Sequence, residues 1–121
     1  MPFETKTNLL PKAQYQHFIN LYRQVKEEGL ESQTFNRLFR ELYQAEVIAP
    51  FSYTNLNDVR DAWTNPHYNF SNLSLVQLQQ HLNAIFYADR HEEGTIVCAY
   101  NSGVFEKIFT SMESQIQALN N

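Results

Sequence analysis

An all-α fold, a compact single-domain helical bundle of about five helices with one long aromatic-rich loop, is predicted by three observations. Apolar residues recur every three or four positions through most of the 121-residue chain. Glycine occurs only three times while Gln, Leu and Glu are plentiful, a balance that favours helices over hairpins. Cap and stop residues stand where such helices would begin and end.

Residues 1–10 read as a loose lead, with Leu9 and Leu10 as its anchor. Pro11 suits a first helical turn, where its missing amide is no loss, and Tyr15, Phe18, Tyr22 and Val25 repeat at helical spacing until Gly29 stops the run. The first helix therefore covers about 11–28. Ser32 or Thr34 caps a second helix over 35–46, which buries Phe35, Leu38, Phe39, Leu42 and Ala45 and leaves Arg37, Arg40, Glu41 and Gln44 wet. Pro50 is its stop, and the short connection makes the two helices antiparallel neighbours.

Residues 51–70 are the least regular stretch, with five aromatics and His67 set among four asparagines. Asn55 or Asn57 caps a short helix through Val59, Ala62 and Trp63, closed by Asn65-Pro66. Ser74 then caps a core helix over 74–90, with Gln77 placed to reach back to the cap. Leu75, Leu78, Leu82, Ile85 and Phe86 share one face of it, and Gln77, Gln80 and Asn83 face away. In the segment 95–101, Thr95, Ile96 and Val97 suit a strand, but the sequence supplies no partner strand, so a helix is predicted. Gly103 separates it from a last helix, 104–118, with Val104, Phe105, Ile108, Phe109 and Met112 as its apolar stripe.

The run Ala88-Asp89-Arg90-His91-Glu92-Glu93-Gly94, the apolar element after it, and Ser102-Gly103-Val104-Phe105-Glu106-Lys107-Ile108 carry a resemblance. With Leu42-Tyr43 and Val47-Ile48-Ala49-Pro50-Phe51 upstream, the chain resembles the bacterial and phage family catalogued as domain of unknown function 6508. The likeness spans roughly residues 35–112. It implies a mostly helical fold and brings no activity with it.

Net charge of −4 argues against broad attraction to nucleic acid or an anionic membrane. The N-terminus lacks the basic and apolar regions of a signal peptide, and no run approaches a membrane span, so a cytoplasmic protein is expected. The single cysteine, Cys98, stands among Ile96, Val97, Ala99 and Tyr100 and reads as a buried, inert thiol. His17, His67, His81 and His91 lack metal-ligand spacing, so neither metal nor cofactor is expected. His81, one turn from Leu78 and from Ile85, reads as a partly buried, hydrogen-bonded histidine.

Two places remain for a site. The aromatic loop offers Tyr53, Trp63, His67 and Tyr68 as a binding surface, because large rings among asparagines give contact area and adaptable hydrogen bonds; Phe51, Trp63 and Phe70 also read as core plugs. The cluster Asp89, Arg90, His91 and Glu92, continued by Glu93, is the densest set of titratable groups, able to pair a general base with an anion-binding arginine. Its charges equally suit the ends of two helices, and the favoured reading is a clasp in which Arg90 pairs with an acid.

The leading functional reading is a protein-interaction or regulatory module, with another protein as partner. A small-ligand binder or enzyme built on Asp89, Arg90, His91 and Glu92 is the alternative, and a nucleic-acid binder using Arg37, Arg40 and stacking tyrosines comes third. No catalytic residue is assigned.

Overall fold

The computed structural model describes residues 10–48, 62–65 and 67–118. Among them every regular element is helical and no strand occurs. The elements are α1 (Lys12–Glu28), α2 (Gln33–Gln44), a 3₁₀ turn (Phe70–Asn72), α3 (Leu75–His91), α4 (Thr95–Asn101) and α5 (Val104–Ala118). Residues 62–64 are also helical. No described helix is long and apolar enough to cross a membrane.

Local chemistry sets the element ends. The Ser32 hydroxyl accepts the Phe35 amide at 3.2 Å and opens α2. At the start of α3 the capping box is complete: Ser74 Oγ accepts the Gln77 amide at 3.1 Å, and the Gln77 side chain accepts the Ser74 amide at 2.8 Å. The segment 95–101 is helical, as its lack of a partner strand implies.

α2 ends earlier than Pro50 requires. Glu46 takes a left-handed φ of 64°, its amide bonds the Tyr43 carbonyl, and the amides of Val47 and Ile48 both turn back to the Leu42 carbonyl. This turn drives Val47 and Ile48 into the core. A left-handed conformation is costly for a residue with a Cβ. The two apolar side chains it buries are the compensation.

Cross-contacts give the topology. His17 meets Glu41 at 2.5 Å and Glu28 accepts from Thr34, so α1 and α2 run antiparallel. Arg23 pairs with Glu113, Lys26 Nζ bonds Glu106 at 2.9 Å, and the Tyr22 ring stacks on Phe109 at 4.6 Å, which sets α5 antiparallel along α1. Gln115 donates to the Leu73 carbonyl at one end of α3, and Phe86 meets Phe105 at the other. Phe18, Leu78, Leu82, Ile85, Ile108 and Ile116 meet as a fully buried core, and α4 lies across one end of α3 and α5.

α3 is an inner helix, buried on more than the one face that its apolar stripe marks. Asn83, expected to face away, has 0 % exposure, and Gln79 and His81 are buried with it. Gln79 Nε2 donates to the Tyr15 hydroxyl at 2.8 Å, while Gln79 Oε1 has no hydrogen-bond partner. His81 corrects the sequence reading: it is only 6 % exposed, packed edge-on against Phe70 with ring centroids 5.2 Å apart, and its Nδ1 is buried without a hydrogen-bond partner. Unpaired burial disfavours the charged ring, and desolvation lowers the His81 pKa to about 4.

Candidate functional site

The site region begins at the junction of α3 and α4. α3 closes with Arg90 and His91 in its last turn, where positive charge suits the helix dipole. Gly94 then adopts φ 101°, open to glycine and strained for other residues, and α4 starts at Thr95. Asp89 ties the two helices. Its Oδ1 accepts the Gly94 amide at 3.2 Å and the Ile96 amide at 3.0 Å, while Thr95 Oγ1 bonds the Glu92 carbonyl at 2.8 Å.

A clasp therefore exists in which Asp89 bonds two amides across the junction, and Arg90 is exposed beside it. Asp89→Ala leaves two amide donors short of their acceptor and should cost about 1–3 kcal/mol, the range for removing one side of a charged hydrogen bond. Asp89→Asn keeps an acceptor oxygen and should cost less. Urea melts of the two variants check this, with Asp89→Ala expected to unfold at the lower urea concentration.

The elbow borders a cleft of about 370 Å³. Glu92, Glu93, Gly94 and Thr95 form one side, Cys98, Ala99 and Ser102 continue it along α4, and Trp63 with Thr64 forms the other. Trp63 is half-buried and packs against the core, with its indole Nε1 buried and without a hydrogen-bond partner. The structure thus brings together one residue from each predicted set, Trp63 from the aromatic loop and Glu92 from the charged cluster.

The remaining predicted residues disperse. Tyr53 lies outside the described residues, as do Phe51 and the proposed caps Asn55 and Asn57. His67 is exposed and Tyr68 half-buried. Both line a separate open hollow of about 570 Å³ against Lys107, Thr110 and Ser111 of α5. Tyr68 also stands edge-on to Phe70 at 5.0 Å, so part of its ring serves packing. Phe70 is a core residue, as one reading of the loop anticipated. His91 is exposed and lies on the Tyr87 ring at 4.8 Å.

Cys98 is the residue that the sequence reading misplaced. It is exposed on the wall of the cleft. Ile96, Ala99 and Tyr100 turn inward at helical spacing, which carries Val97 and Cys98 to the outer face. The signal was in the period of the helix rather than in the apolar neighbours.

Elsewhere on the surface, charged pairs form both within α2 and between helices. A hydrogen bond from Arg37, followed by one from His17, holds the Glu41 carboxyl below the usual carboxylate range. The Lys26 ammonium and then the Tyr22 hydroxyl do the same for Glu106, while burial and that same carboxylate push the Tyr22 phenol up. Among the described residues no three His, Cys, Asp or Glu side chains gather as metal ligands.

Residues 24–118 match the profile of a family of unknown function, DUF6508. The chain belongs to that family. The match begins in the last turn of α1 and takes in α2 through α5, wider at both ends than the resemblance read from the motifs alone. The DUF6508 region thus includes Trp63, Asp89, Glu92 and Cys98, the whole of the elbow and its cleft. No curated protein and no solved structure matches the chain.

Proposed function

We propose that this DUF6508 member is a small protein-interaction or regulatory module, of bacterial, phage or mobile-element origin and working in the cytoplasm, whose docking surface is the cleft at the α3–α4 elbow. The observation that carries the reading is the meeting of Trp63 with the elbow across one concave surface. Aromatic anchors in partly desolvated hollows supply a large share of the energy in protein interfaces. The alternative of a catalytic cluster is weaker, because its central carboxylate, Asp89, is occupied as a cap for α4. Nucleic-acid binding is weaker again, since Arg37 is paired with Glu41 and the chain is acidic.

Affinity purification from the source cell, with wild type and Trp63→Ala as baits, tests the proposal. Far-UV circular dichroism must first show that the variant keeps its helices. A partner held by wild type and reduced about tenfold or more by Trp63→Ala supports the cleft, as that is the least expected for truncating a central aromatic anchor. Equal recovery by the two baits would place the docking surface elsewhere.

A further inference from the structure

We infer that the outward face of α2 is a second docking surface, which takes an acidic helical segment of a partner protein by seating two of its carboxylates on Arg37 and Arg40. This goes beyond the elbow cleft, with which the face shares no residue. The apolar stripe of α2, made of Phe35, Leu38, Phe39 and Leu42, turns toward the core. Helical spacing then carries Gln33, Asn36, Arg37, Arg40, Tyr43 and Gln44 to the opposite side, and all six are exposed. Gln33, Asn36 and the two arginines line a hollow of about 520 Å³ there, completed by Thr34, and no carboxylate lines it among the described residues.

The chemistry of the occupant follows from which charges are already matched. Arg23 pairs with Glu113, Lys26 with Glu106 and Arg37 with Glu41. Arg40 has no ion pair or hydrogen bond among the described residues. Arg37 reaches Glu41 through Nε at 2.6 Å, which leaves the terminal nitrogens of its fork able to donate. Like charges one helical turn apart repel, and Glu41 offsets only Arg37. An arriving carboxylate offsets Arg40 through charge-assisted hydrogen bonds. Acidic residues three or four positions apart on a partner helix rise by about 4.5–6 Å, which matches the spacing of the two arginines. Tyr43, 49 % exposed, adds an apolar contact one turn further along. A nucleic acid fits less well, because two arginines match few phosphates and the exposed Glu31, just before α2, meets a backbone running past the helix end with like charge.

The test titrates the isotope-labelled full chain with a blocked helical peptide and follows amide and arginine Nε signals by NMR at low salt. The peptide carries two glutamates four positions apart with a leucine beside them, and its control has glutamine in place of both. The glutamate peptide should move the signals of α2 between residues 33 and 44, and the control should bind at least about tenfold more weakly, since one charge-assisted contact is worth about that factor. Arg40→Gln should weaken the glutamate peptide about tenfold, and Arg40→Glu should abolish its binding. Arg40 is exposed, so both variants should keep the spectrum of the folded chain elsewhere. Arg23→Gln removes the same charge between α1 and α5 and should bind as wild type does. Equal binding of the two peptides, shifts centred outside α2, or no shift at millimolar glutamate peptide would overturn the inference. So would an Arg40→Gln chain that binds like wild type, or an Arg23→Gln chain that weakens as much as Arg40→Gln. A short DNA duplex that moves the same signals at lower concentration than the peptide would assign the face to nucleic acid and reject the acidic segment.

Discussion

Phe86→Ala should lower folding stability by about 3–5 kcal/mol, the range for removing a buried aromatic side chain, and so a large fraction of the roughly 5–15 kcal/mol that holds an ordinary domain together. Phe86 is 3 % exposed. Its ring meets Phe39 at 4.9 Å and Phe35 at 6.3 Å on α2, and Phe105 at 6.2 Å on α5. Truncation removes the apolar contact that joins three helices at one point, and the surrounding rings are too rigid to collapse fully into the space. Phe86→Leu keeps most of the volume and should cost markedly less. Urea denaturation followed at 222 nm checks both. A Phe86→Ala loss no larger than that of Phe86→Leu would mean that α3 does not occupy the centre described.

Acid should destabilise the fold through His81 before it touches the surface carboxylates. Burial lowers the His81 pKa from its ordinary 6.5 to about 4. Between those values the unfolded chain binds a proton that the folded chain refuses, so the stabilising contribution is complete above pH 6.5 and is lost as pH falls toward 4. The full shift corresponds to about 3 kcal/mol, of which about 2 kcal/mol should be lost between pH 7 and pH 5. Glu41 and Glu106 are held below the usual carboxylate range, so their losses fall at lower pH. His81→Leu cannot take up the proton and should flatten this part of the stability profile. A variant that loses as much stability as wild type between pH 7 and pH 5 would remove His81 as the cause.

Local signals were legible where neighbours along the chain decide the outcome. Ser32, Ser74 with Gln77, and the helical stripes of α1, α2 and α5 lie as their spacing implied. What could not be read depends on residues distant in sequence. The stripe on α3 marks an apolar face but not how many helices surround it, and Asn83 and His81 are buried because α3 lies inside the bundle. α2 ends at Gln44, two residues before the predicted end, and Glu46 turns the chain so that Val47 and Ile48 enter the core rather than extend the helix.

The site shows the same division. Trp63 and Glu92 were each singled out, yet nothing in the 28 positions between them implies that they face one another. Their meeting is a tertiary result. Cys98 differs, since the period of α4 already assigned it to the outer face once the segment was taken as helical.

The central claim, that Trp63 and the elbow enclose one cleft, is tested most directly by attaching a short-range nitroxide quencher to Cys98 and measuring Trp63 emission. Each residue is the only one of its kind in the chain, so no further substitution is needed to isolate the pair. The nitroxide should suppress most of the tryptophan emission in the native protein, and 6 M urea should restore it. Native emission as bright with the nitroxide as with a diamagnetic analogue at Cys98 would show that the two walls are apart, and would contradict the cleft.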